Sequence, residues 1–142
     1  MTWDFKSDQP IYRQLMDALR MRIVNGTYPP GERVPAVREL AMEAGVNPNT
    51  MQRALAELER EGLLVSQRTS GRFVTDDPEL VKRLRTEMAE EYIAEMFRML
   101  KRLGLSREDS ASAVREYYEG LSREDSASAV REYYGGLKEE RE

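Results

Sequence analysis

The sequence contains no cysteine and no histidine in 142 residues. That absence removes disulfides, thiolate nucleophiles, imidazole bases and every metal site built on nitrogen or sulfur, leaving only carboxylates as candidate ligands. Long apolar runs are missing too. No stretch approaches the roughly 20 residues a helix needs to cross a bilayer, so no membrane partner is expected. The start, Met1-Thr2-Trp3-Asp4-Phe5, lacks the basic-then-apolar layout of a secretion signal, and the expected location is cytoplasmic. Positive charge is not in excess either: 22 Lys and Arg stand against 26 Asp and Glu, a net charge of −4. A chain of this length fits one small domain with an appendage, or a single compact domain, and excludes a large catalytic scaffold.

The acidity is uneven along the chain. Residues 1–75 carry ten basic and nine acidic side chains, whereas residues 76–142 carry twelve and seventeen. Attraction of a polyanion depends on the local field at the docking face, so the acidic total does not exclude nucleic acid.

A first helix is expected from near Pro10, with Ser7 or Asp8 as its cap, to Asn25-Gly26, and Leu15, Leu19 and Ile23 form its apolar stripe. Tyr28-Pro29-Pro30-Gly31 then enforces a turn, and Arg33-Val34 suits a very short strand. A second helix, Ala36 to Ala44, lacks a capping Ser or Thr and stops at Gly45. In Asn47-Pro48-Asn49-Thr50 the first residue can cap free N–H groups while proline occupies the first helical position, a strong helix start. The third helix continues to Arg60 or Glu61, with Met51, Ala54, Leu55 and Leu58 facing inward. Two short helices around a glycine turn form a helix-turn-helix pattern. Leu63–Gln67 and Arg72–Thr75, joined by Arg68-Thr69-Ser70-Gly71, read as a β-hairpin, which after a candidate recognition helix makes a wing.

From Asp77-Pro78 the pattern changes. Glu79 to Leu103 reads as one long amphipathic helix, with Leu80, Leu84, Met88, Tyr92, Met96 and Met99 or Leu100 in its seam and Gly104 at its end. Such a stripe has too few partners in its own chain, so a second subunit is the expected cover. GLSREDSASAVREYY at 104–118 then recurs unchanged at 120–134, a tandem repeat of sixteen residues (104–119, 120–135). Each copy reads as a short helix capped by Ser106 or Ser122 with Asp109 or Asp125 at the capping-box position. Val114, Tyr117 and Tyr118, or Val130, Tyr133 and Tyr134, form its apolar patch. Two copies are too few for a solenoid, and the second is expected to be redundant for dimerisation.

The expected fold is therefore mainly α with a small β-hairpin. A winged helix-turn-helix over residues 1–76 precedes a short all-α dimerisation tail over residues 77–142.

The segments Arg33-Val34-Pro35-Ala36-Val37-Arg38-Glu39-Leu40-Ala41, Val46-Asn47-Pro48-Asn49-Thr50-Met51-Gln52-Arg53-Ala54-Leu55, Glu61-Gly62-Leu63-Leu64 and Gly71-Arg72-Phe73-Val74 resemble the DNA-binding domain of the GntR family. The Asn-Pro-Asn-Thr and Arg-Thr-Ser-Gly-Arg-Phe-Val segments with a short helical tail are similar to the YtrA subfamily in particular. The resemblance implies that Arg38, the start of the third helix and the wing turn touch DNA, that the tail dimerises, and that repression is the commoner mode. Ala36 departs from the family pattern, where a small hydroxyl residue is usual, and Gln52 stands where a basic residue is frequent.

The residues themselves point to the same places. Once the inward stripe of the third helix is fixed, Asn49, Thr50, Gln52 and Arg53 lie near its polar end, where Asn and Gln suit adenine and Arg suits guanine. Asn47 is chiefly a cap, and Thr50 also suits support of the first turn. Arg38 is a phosphate ligand or half of a surface ion pair. Arg68, Thr69, Ser70, Gly71 and Arg72 form a basic wing suited to phosphate or minor groove, although Arg68 and Arg72 also suit edge-strand protection and Gly71 is required first by its turn.

An enzyme is not expected. Glu90-Glu91 and Glu108-Asp109 sit on charged helix surfaces rather than in a cleft, and the chain after Thr75 is too short to enclose a substrate pocket, so an inducer would have to bind between subunits. No cofactor is implied. The expectation is a homodimer on a palindromic DNA operator, and its rival is a winged helix serving as a protein-interaction module without sequence-specific DNA binding.

Overall fold

The computed structural model describes residues 3–121 and 131–132. Their order is α1 (Ile11–Val24), α2 (Val37–Ala44), α3 (Pro48–Arg60), β1 (Leu64–Gln67), β2 (Gly71–Val74), α4 (Pro78–Arg102) and α5 (Arg107–Leu121). The chain forms two compact units, residues 2–88 and 89–142.

The core of the first unit grows from three helical stripes. Leu15 and Leu19 of α1, Leu40 of α2, and Met51, Leu55 and Leu58 of α3 are fully buried. Val34, Leu63, Leu64 and Val74 close the same cluster from the wing side. Burying a side chain of this size contributes about 1.5–3 kcal/mol, so these residues dominate the stability of the unit.

Loop chemistry sets the angles between helices. Gly45 takes the left-handed conformation (φ 68°) that ends α2, and Asn47 restarts the helix two residues later. β1 and β2 pair antiparallel, Leu64 opposite Val74 and Ser66 opposite Arg72. The short strand expected at Arg33-Val34 is present as a single bridge from Arg33 to Phe73, with the Val34 N–H donating to the Arg72 carbonyl at 2.9 Å.

The cap expected at the start of α1 is corrected. Pro10 is extended (φ −58°, ψ 129°) and occupies the N-cap position itself, so neither Ser7 nor Asp8 reaches the first free N–H groups. Gln14 instead folds back on the incoming chain: its Oε1 accepts from the Lys6 N–H at 2.6 Å and its Nε2 donates to the Lys6 and Gln9 carbonyls at 2.8 and 3.0 Å. Arg22, only 7% exposed, fixes the same segment, its guanidinium lying 3.7 Å from the Trp3 ring centroid and donating to the Tyr28 hydroxyl at 3.2 Å. Burial pushes the Tyr28 phenol above its usual range, with Arg22 partly opposing the shift.

The seam of α4 divides. Val81 is buried, and Leu80, Leu84 and Met88 pack against the core of the first unit. Arg85 clamps this half of α4 by donating to the Val24 carbonyl at the end of α1 (Nη2, 2.8 Å). Leu80, Leu84 and Met88, each half-buried, thus find part of their cover within their own chain.

In the second unit, Gly104 (φ 88°) ends the helix and the Ser106 hydroxyl accepts from the Asp109 N–H at 3.1 Å, so the capping residue read from the sequence caps α5. Met96, Leu100 and Val114 are half-buried, whereas Tyr92, Ile93, Met99, Tyr117 and Tyr118 are exposed. Although Gly120 repeats Gly104 in sequence, it lies inside α5. Val130, Tyr133 and Tyr134 of the second copy lie outside the described residues.

Candidate nucleic-acid interface

The interface begins at the first turn of α3. Asn47 Oδ1 accepts from the Asn49 N–H at 2.8 Å, and Pro48 supplies the first helical residue without a free donor. Met51, Ala54, Leu55 and Leu58 are buried, a constraint that turns Asn49, Gln52 and Arg53 to the surface and leaves Thr50 half-buried. Asn49 and Arg53 are four residues apart and share one ridge.

Arg53 does not project freely. Its guanidinium lies 4.1 Å from the centroid of the Tyr12 ring at the start of α1. The sequence carries a signal for this neighbour: Tyr12 precedes Leu15 by three positions and Leu19 by seven, which places it at the edge of the α1 stripe. Its ring is half-buried against the core.

On α2, Arg38 is exposed and makes no ion pair with any described residue. Its neighbour Ala36 holds the N-cap position with no side-chain hydrogen bond, as expected for a residue lacking a hydroxyl.

The wing turn exposes Arg68, Thr69 and Gly71, while Ser70 is half-buried and donates its N–H to the Gln67 carbonyl at 3.1 Å. Gly71 has φ 96°, and a Cβ there would lie 2.9 Å from Arg33 Nε. The exposed Arg33 side chain therefore crosses the wing backbone and adds a guanidinium that the sequence reading of the wing left out.

Arg72 has a different setting from Arg68. It stands opposite Ser66 in the hairpin, so both side chains leave the same face, and both bind Glu59 of α3. The Ser66 hydrogen bond foremost, and then Arg72, hold the Glu59 carboxyl below its usual range against the opposing effect of burial. Arg72 thus ties the wing to α3, while Arg33, Arg38, Arg53 and Arg68 remain exposed cations. Among the described residues there is no cluster of acidic side chains suited to a metal ion, and no helix is long and apolar enough to cross a membrane.

Comparison with known proteins agrees with this geometry. Residues 11–74 match the bacterial regulatory proteins of the gntR family. The chain is 35% identical over 116 residues to the HTH-type transcriptional regulator YhcF of Bacillus subtilis, covering 82% of this chain and 96% of that protein. It is 38% identical over 74 residues to the HTH-type transcriptional repressor YtrA of the same organism, covering 52% and 57% of the two chains. A GntR family transcriptional regulator from Listeria monocytogenes superposes with a TM-score of 0.70 at 33% identity, covering 79% of this chain and 98% of that one.

Proposed function

This chain belongs to the gntR family of bacterial regulatory proteins, and from that premise we propose that it represses transcription as a homodimer on a palindromic operator. It is a transcription regulator with a DNA-binding winged helix-turn-helix, and its relatives are regulators rather than enzymes. In the proposed complex the polar edge of α3 enters the major groove, with Asn49, Gln52 and Arg53 at base edges and Thr50 and the capped N-terminus near phosphate. Arg38 and the wing turn, Arg68 to Gly71 with Arg33 across it, hold the flanking backbone.

The observation that carries this reading is the exposure of Asn49, Gln52 and Arg53 together on one end of α3, with three further exposed cations, Arg33, Arg38 and Arg68, in the same unit. An interaction module has no need of that combination. Dimerisation is supported by the apolar side chains left uncovered on the second unit, with Tyr117 and Tyr118 each 72% exposed. The relative YtrA is a transcriptional repressor, which supports the sign of regulation.

Selection of bound fragments from a random duplex library tests the proposal. The expected outcome is an inverted repeat whose half-site centres lie about 10 base pairs apart or a multiple of that, bound with affinity that falls steeply with salt. Recovery of no shared sequence would favour the interaction-module reading.

A further inference from the structure

We propose that Tyr12 is a positioning residue for base recognition, holding the Arg53 guanidinium in the orientation in which it meets a guanine. The inference rests on the DNA-binding reading above and adds to it a residue outside the helix-turn-helix.

An arginine on a helix surface samples many rotamers, and freezing it on binding costs affinity at the base it reads. Arg53 is relieved of part of that cost. The guanidinium centre lies over the Tyr12 ring, 4.1 Å from its centroid, while the side chain stays open to solvent. The ring is itself backed by the core, being half-buried and packed against it. No carboxylate among the described residues pairs with Arg53, in contrast to Arg20, Arg60, Arg72 and Arg98, each of which is held by an acidic partner. A carboxylate would occupy the N–H edge that a guanine needs. An aromatic face orients the plane from one side and leaves that edge available. Asn49, one turn earlier on the same ridge, places a second base-reading side chain beside it.

The test uses the full chain and the duplex recovered by selection, together with duplexes altered one base pair at a time and a scrambled control. Arg53→Ala identifies the base pair at which Arg53 matters, and its preference there is expected to fall about tenfold or more. Tyr12→Leu is expected to lower the same preference by about two- to fivefold, with binding to scrambled duplex unchanged, while Tyr12→Phe retains it. In the Arg53→Ala background, Tyr12→Leu is expected to have no further effect on preference, which separates positioning from a general loss of structure. Should Tyr12→Leu fail to fold, Tyr12→Met serves in its place: it keeps an apolar side chain of similar reach against the core, removes the aromatic face, and is expected to lower the preference by about the same two- to fivefold.

Undiminished preference in Tyr12→Leu, or an equal loss from Tyr12→Leu with and without Arg53, overturns the inference and leaves DNA binding standing. Absence of any base pair sensitive to Arg53→Ala does the same. A wild-type protein that does not distinguish selected from scrambled duplex overturns the DNA-binding reading, and this inference with it.

Discussion

Glu59, near the end of α3, and Arg72, in the second strand of the wing, are ion-paired, and the Ser66 hydroxyl opposite Arg72 donates to the same carboxylate oxygen. The wing is therefore fastened to α3 by side chains as well as by the short connection through Gly62 and Leu63. A hairpin of two four-residue strands is marginal alone, and this tie, with the Arg33 bridge, fixes where the wing turn sits.

The tie has a pH signature. The Glu59 carboxyl is held below the ordinary value of about 4.3, so its contribution is fully present above that value and is lost as pH falls through the depressed folded-state value. Thermal unfolding followed from about pH 6 down to about pH 3 should show a steeper loss for the wild type than for Glu59→Gln. Parallel curves would contradict a charged tie.

The cap of α3 is open to a simple deletion. Asn47→Ala removes the acceptor for the Asn49 N–H and should cost about 1 kcal/mol in denaturant unfolding, while Asn47→Asp should cost little. Equal losses in both would mean that the capping bond is not what Asn47 supplies.

Gly71 combines two constraints, a positive φ and Arg33 so near that an added Cβ would lie 2.9 Å from its Nε. Gly71→Ala is expected to destabilise the protein by about 1–2 kcal/mol from the backbone, with a further loss from the displaced guanidinium. Adding Arg33→Ala should recover the second part only. Full recovery in the double variant would show that the backbone at Gly71 is not strained.

The two halves of α4 should separate by experiment. Leu84→Ala should lower the stability of the folded chain through lost packing on the first unit, a change of about 2 kcal/mol for a half-buried leucine. Tyr117→Ser with Tyr118→Ser should instead weaken dimerisation in sedimentation without lowering stability at fixed dimer occupancy. Deleting residues 120–135 brings Gly136-Leu137 to the place of Gly120-Leu121, so the sequence of α5 is preserved and the dimer should persist. A monomeric deletion variant would show that the second copy is required.

Much of this was readable in the residues. The stripes of α1, α2 and α3, the Gly45 stop, the Asn47-Pro48 start and the Ser106 cap are local signals, and each appears where the pattern put it within about a residue. What escaped was non-local. Pro10 lies outside α1 while Gln14 anchors the preceding chain, and Leu80, Leu84 and Met88 are half-buried against the core of the first unit. The same holds at the site. Exposure of Asn49, Gln52 and Arg53 followed from helical spacing alone, whereas the Tyr12 stack, the Arg72 tie and the placement of Arg33 each join segments that are remote or register-dependent.

The most direct measurement of DNA reading by α3 is the equilibrium affinity of wild type, Arg38→Ala and Arg53→Ala for the selected operator and for a scrambled duplex at one salt concentration. Arg38→Ala should weaken both by similar factors, because phosphate carries no sequence, and Arg53→Ala should weaken chiefly the operator. Affinities unchanged by either substitution would contradict the account.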